Sequence, residues 1–98
     1  MNLREIIEIV LKEQSNHFRP IPVDITILNG NILLRAFHIY DLNLNKNSVK
    51  GLTQQEEYAH VREERDPVYC YLKLDEIKEL SCPDLDLEYS SRMSLVRA

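Results

Sequence analysis

Between Asn2 and Gln14 the apolar residues Leu3, Ile6, Ile7, Val10 and Leu11 recur at helical spacing, and Arg4, Glu5, Glu8, Lys12 and Glu13 fall on the opposite side. The pattern predicts a helix over residues 2–14. Asn2 caps it, and Glu5 stands three residues on in the reciprocal position of a capping box. From Val23 the period changes to two: Val23, Ile25 and Ile27 alternate with Asp24 and Thr26, as in a strand with one buried face. Asn29-Gly30 follows at once and predicts a tight two-residue hairpin turn of type I′. Ile32 to Tyr40, rich in β-branched and aromatic residues, returns as a long second strand that bends partway.

Two prolines, Pro20 and Pro22, make residues 15–22 a connector, since neither supplies the N–H that a helix or central strand uses. Residues 41–51 turn polar and read as a loop or a short strand flanked by turns. Thr53 and Glu56 repeat the capping-box spacing, but the apolar side of residues 53–65 is only Tyr58, Ala59 and Val61. So thin a stripe predicts a charged, partly helical surface segment, and residues 46–67 are expected to lie outside the core. Val68, Cys70, Leu72 and Leu74 alternate with Tyr69, Tyr71 and Lys73 and predict a strand. Asp75-Glu76 interrupts it, and Ile77 and Leu80 resume an apolar register after a short turn. Cys82-Pro83 is expected to end the ordered region, leaving 81–98 as a tail tied down by Leu85, Leu87 and Tyr89.

The 98 residues suit one domain with one core, 1–98, burying roughly two thirds of the unfolded chain's surface. No apolar run nears the roughly 18 residues of a membrane span, and neither a signal nor a transit peptide is visible, so a cytoplasmic location is expected. Sixteen acidic and 12 basic side chains give a formal net charge of −4. That balance argues against indiscriminate binding of duplex phosphate, while a local basic or aromatic patch remains open for a single strand. Cys70 and Cys82 lack metal-ligand or CxxC spacing and are expected to be reduced structural thiols, with metal binding or a disulfide as alternatives. His17, His38 and His60 share no ligand spacing with a cysteine or carboxylate, and two glycines cannot build a phosphate loop. The expectation is a non-enzyme without cofactor or metal.

A helix, a strand ending in Asn-Gly, a long bent strand and a late strand that turns sharply into a last one predict an α+β, mostly β fold. Its expected form is an N-terminal helix on a small, strongly bent five-stranded barrel of the SH3 type. Pro22-Val23, Ile25 and Asn29-Gly30, and the spacing of Gly30, Asp41 and Asn45, resemble the Sm-like family and its Hfq-like members. The sequence departs from that family at Arg35, which takes the place of a bend glycine. It departs again at Lys73-Leu74-Asp75, which replaces a Tyr-Lys-His run, and in the long segment 46–67. With Arg35 at the bend, either the curvature differs or Ala36 takes the inside of a bulge. A second resemblance, in Arg19-Pro20, Leu34-Arg35-Ala36-Phe37 and Leu74-Asp75-Glu76-Ile77, is to WYL-type ligand-sensing domains, although the chain has no Trp.

The Sm-like resemblance implies a non-catalytic regulator that binds single-stranded RNA, assembled as a ring. It puts Asp41, Asn43 and Asn45 in a base-contacting loop, where the alternative is that they bond their own backbone and terminate a strand. Tyr40, Tyr69 and Tyr71 either stack bases or pack across a subunit edge. The competing expectation is a protein-interaction module or small inhibitor that sets Glu56, Glu57, Glu63 and Glu64 against a basic protein partner.

Overall fold

The computed structural model describes residues 1–91. Helix α1 spans Leu3–His17, three residues beyond the predicted end, and the capping box forms in full. The Glu5 N–H donates to Asn2 Oδ1 at 2.8 Å and the Asn2 N–H to Glu5 Oε1 at 3.2 Å. Leu3, Ile6, Ile7 and Val10 are buried, as their spacing requires. The helix ends at Phe18 in the left-handed region.

Strands β1 (Val23–Ile27), β2 (Ile32–Asn43), β3 (Ser48–Leu52), β4 (Cys70–Lys73), β5 (Ile77–Cys82) and β6 (Leu87–Ser90) form one antiparallel sheet in the order β4-β3-β2-β1-β5-β6. A second helix, α2 (Gln54–Glu63), joins β3 to β4. The fold is thus α+β and mostly β. Among the described residues the sheet is open, with β4 and β6 as its edge strands. Val23, Ile25, Phe37, Ile39, Val49, Leu72, Ile77, Leu80 and Cys82 face the buried side of α1 in one apolar cluster.

Several sequence expectations are corrected. The Asn-Gly hairpin is not a two-residue turn: Ile27 pairs with Ile32, and the positive φ angles fall at Gly30 (79°) and Asn31 (51°). Residues 46–67 are not all outside the core, since β3 lies within them and its Val49 and Leu52 are fully buried. Gly51 hides this strand in the sequence. A Cβ there would lie 2.5 Å from the Phe37 ring, so only glycine lets that ring pack against β3. The strand expected over Val68–Leu74 is shorter: Val68 is exposed and precedes β4. Nor does order end at Cys82-Pro83. A 3-10 turn over Pro83–Leu85 leads into β6, a sixth strand where five were expected, and Leu85, Leu87 and Tyr89 pack on the core. The rest of the expected tail, 92–98, lies outside the described residues.

Of the two alternatives the sequence left open at Arg35, the one with Ala36 at the bend is found. Val23 pairs with Phe37 but Ile25 with Leu34, so β2 carries an extra residue at this point. Ala36 takes a φ of 52° and its N–H donates to Asp24 Oδ1 at 3.0 Å. Asp24 therefore holds a bulge that a glycine would otherwise make easy. A second bulge between Ile39 and Asp41 re-aims β2 at Tyr40. Near it Gln14 ties the end of α1 to the sheet and to the connector: its Nε2 donates to the Ile39 carbonyl (2.8 Å) and its Oε1 accepts from the Ile21 N–H (3.0 Å).

Candidate nucleic-acid interface

The outer face of β2, β3 and β4 collects most of the side chains singled out from the sequence. Cross-strand register aligns Asp41, Lys50 and Tyr71 in one lateral row and Asn43, Ser48 and Lys73 in the next. Asp41, Asn43, Ser48, Lys50 and Tyr71, with Lys46 from the β2–β3 turn, line a cavity of about 190 Å³. Tyr71 is 66% exposed.

Beside this cavity an aromatic chain runs across the sheet. The His38 and Tyr40 rings are 4.3 Å apart, and Tyr40 meets Tyr69 edge-on at 5.3 Å. The Lys50 ammonium sits 4.1 Å above the Tyr69 ring, within cation–π range. Burial, then the Glu57 carboxylate and Tyr69, push the Tyr40 hydroxyl above its ordinary pKa, so it stays a neutral phenol. The second bulge explains the grouping, because it puts Tyr40 and Asp41 where regular alternation would show one of them.

Asp41 and Asn43 are thus in a strand, whereas the resemblance implied a loop. Asn43 does what its alternative reading said: its Oδ1 accepts from the Lys46 N–H at 3.0 Å and closes the turn. Asn45 is exposed in that turn and is not brought to the cavity. Sequence reasoning missed His38, Lys46 and Lys50. The signal that would have found Lys50 is its place between buried Val49 and Gly51, which fixes it on the outer face once β3 is recognised.

The four acidic residues of the competing expectation are mostly engaged already. Arg65 donates from Nη2 to both carboxylate oxygens of Glu56 (2.9 and 3.0 Å) and from Nε to Glu63 Oε2 (2.9 Å). Glu57 Oε2 lies 3.1 Å from His38 Nδ1. Hydrogen bonding to Arg65 lowers the Glu56 pKa and raises that of Arg65. Glu64 ends α2 in the left-handed region.

Both cysteines are free, and burial pushes both thiols above their ordinary pKa, which makes poor nucleophiles of them at neutral pH. Among the described residues no cluster of three or more His, Cys, Asp or Glu side chains is placed to hold a metal, and no helix is long and apolar enough to cross a membrane. Comparison with known proteins returns no match to a family model, a curated protein or a solved structure.

Proposed function

We propose that the chain is a non-catalytic Sm-like protein that binds single-stranded RNA on the outer face of β2–β3–β4. The observation that carries this reading is the juxtaposition of exposed Tyr71 and the Tyr40–Tyr69 pair with Lys46 and Lys50 on one surface. Single strands are held by base stacking on aromatic faces, about 1–3 kcal/mol per base, together with cations that track the backbone. Asn43 and Asp41 supply acceptors for base edges. The net charge of −4 counts against phosphate binding over the surface as a whole, so the reading rests on the local placement of Lys46 and Lys50 beside the tyrosines. The pairing of Arg65 with Glu56 and Glu63 leaves less free charge for a basic protein partner and makes that alternative the weaker one.

The strand order, with β5 returning beside β1, the bulge at Ala36 and the 3-10 turn between β4 and β5 support a bent small-barrel sheet left open for assembly. Here β6 covers the outer edge of β5, so ring closure would pair β4 of one copy with β6 of the next. The test is titration with uridine-rich and adenine-rich single strands at two salt concentrations, alongside mass by light scattering. Binding should weaken as salt rises, and Tyr71→Ala and Lys50→Ala should each reduce it. No binding at roughly 50 mM salt, where screening is weak, overturns the proposal.

A further inference from the structure

A cavity of about 390 Å³ opens between the connector, β2 and α2, and shares only His38 with the candidate RNA face. That volume lies within the roughly 300–1,000 Å³ range of small-molecule sites. Most of its lining is apolar. Pro20 and Pro22 come from the connector, Ala36 from the bulge of β2, and Tyr58 and Val61 from α2. Helix α2 buries no residue, and Tyr58 and Val61 are 61% and 70% exposed, so its thin apolar stripe borders this cavity instead of the core. The two prolines have a fixed φ and the Ala36 backbone is held by Asp24, which sets the shape before any ligand arrives. A positive φ at a non-glycine residue is strained, and such strain concentrates at functional sites.

The polar lining is sparse: Gln54, and His38 with its Glu57 partner. Glu57 is the only acidic side chain of the lining, and neither Lys nor Arg belongs to it. A carboxylate has about four lone-pair sites, and His38 takes one, so Glu57 retains acceptor capacity toward the cavity. A ligand with an apolar body and one ammonium group matches both features. A neutral analogue gains only the apolar contacts, and an anionic one meets the Glu57 charge.

We propose that this cavity binds a small amphipathic amine, its aromatic or branched apolar group against Pro20, Pro22, Tyr58 and Val61 and its ammonium on Glu57. The site is independent of RNA binding and stands or falls separately from it. The test is amide NMR titration of the full chain with tryptamine, with the neutral alcohol tryptophol and with the anion indole-3-propionate. Tryptamine should shift the amides of Ala36, His38, Glu57, Tyr58 and Val61 saturably. Tryptophol should bind about tenfold more weakly, the loss of one charge-assisted hydrogen bond, and the anion more weakly still. Glu57→Gln should bring tryptamine down to the affinity of tryptophol, and Val61→Ser should weaken both together. If tryptamine at about 10 mM, above the weakest affinity useful here, leaves those amides unmoved, or binds no better than tryptophol, the proposal is overturned. Should Glu57→Gln fail to fold, the three probes on the unaltered chain decide alone.

Discussion

The two helices begin with the same signal and end in opposite circumstances. Asn2 caps α1 and Thr53 caps α2, each accepting from the N–H three residues on. In α1 the return bond from Glu5 completes the box, whereas in α2 Glu56 gives its carboxylate to Arg65 instead. Four residues of α1 are buried and none of α2. A cap therefore fixes where a helix starts, and the width of the apolar stripe decides whether the core holds it. α1 belongs to the global fold, while α2 is held by ion pairs, Thr53 and contacts along one side.

The largest expected difference comes from placing a carboxylate in each stripe. Ile7→Asp should abolish cooperative urea unfolding, because a fully buried site offers the charge no partner. Val61→Asp should leave the midpoint within about 0.5 kcal/mol of the parent, as at an ordinary surface position. Retained cooperativity in the first variant would show that α1 is not part of the core.

A smaller contrast lies in what ties each helix down. Gln14→Ala strands the Ile39 carbonyl and the Ile21 N–H and should destabilise the whole domain by about 1–3 kcal/mol per orphaned group in urea. Arg65→Gln should instead speed amide exchange within α2 and leave protection in α1 and β1 unchanged. Caps rank next. Asn2→Ala is expected to lower global stability by about 1 kcal/mol, whereas Thr53→Ala should show only as faster exchange in the first turn of α2.

The smallest effect is acid sensitivity confined to α2. Glu56 has a lowered native pKa, chiefly through its hydrogen bond to Arg65, so the unfolded segment binds more protons than the folded one. The tie is fully present above the ordinary Glu pKa and is lost as pH falls through the lowered native value. Amide protection in α2, measured against the intrinsic exchange rate at each pH, should fall over that window before protection in α1 does, and Glu56→Gln should remove the pH dependence.

What the sequence made legible follows from range. α1 and the pairing of β1 with β2 are set largely by neighbours a few positions apart and were readable in period, whereas the bulge at Ala36, held by Asp24 twelve positions earlier, was legible only as one of two alternatives. β3 was legible only as one of two alternatives for residues 41–51, a loop or a short strand, because its five residues include Lys50 and Gly51, and the glycine is required by the His38 carbonyl and the Phe37 ring, thirteen and fourteen positions earlier. β6 escaped because its core-facing residues, Leu87 and Tyr89, are only two and stand among acids, and it needs β5 to make it a strand. For the candidate interface the tyrosines were found by type. Lys46 and Lys50 were not, since only the β2–β3 turn and the register of β3 with β4 bring them to Tyr71, and Lys50 to Tyr69.

The pairing of β1 with β5 also governs when the fold can form. Ile25 lies beside Leu80, so a chain emerging from a ribosome can close the hairpin of β1 and β2 early but must wait for β5, some fifty residues later, before the central strand has both neighbours. Until then one side of β1 and the apolar face of α1 lack part of their covering. Closing so long a loop is entropically slow and raises contact order, which places folding toward the millisecond-to-second regime of sheet proteins. The nascent chain, more than the finished domain, is where this protein is exposed to aggregation and to chaperones.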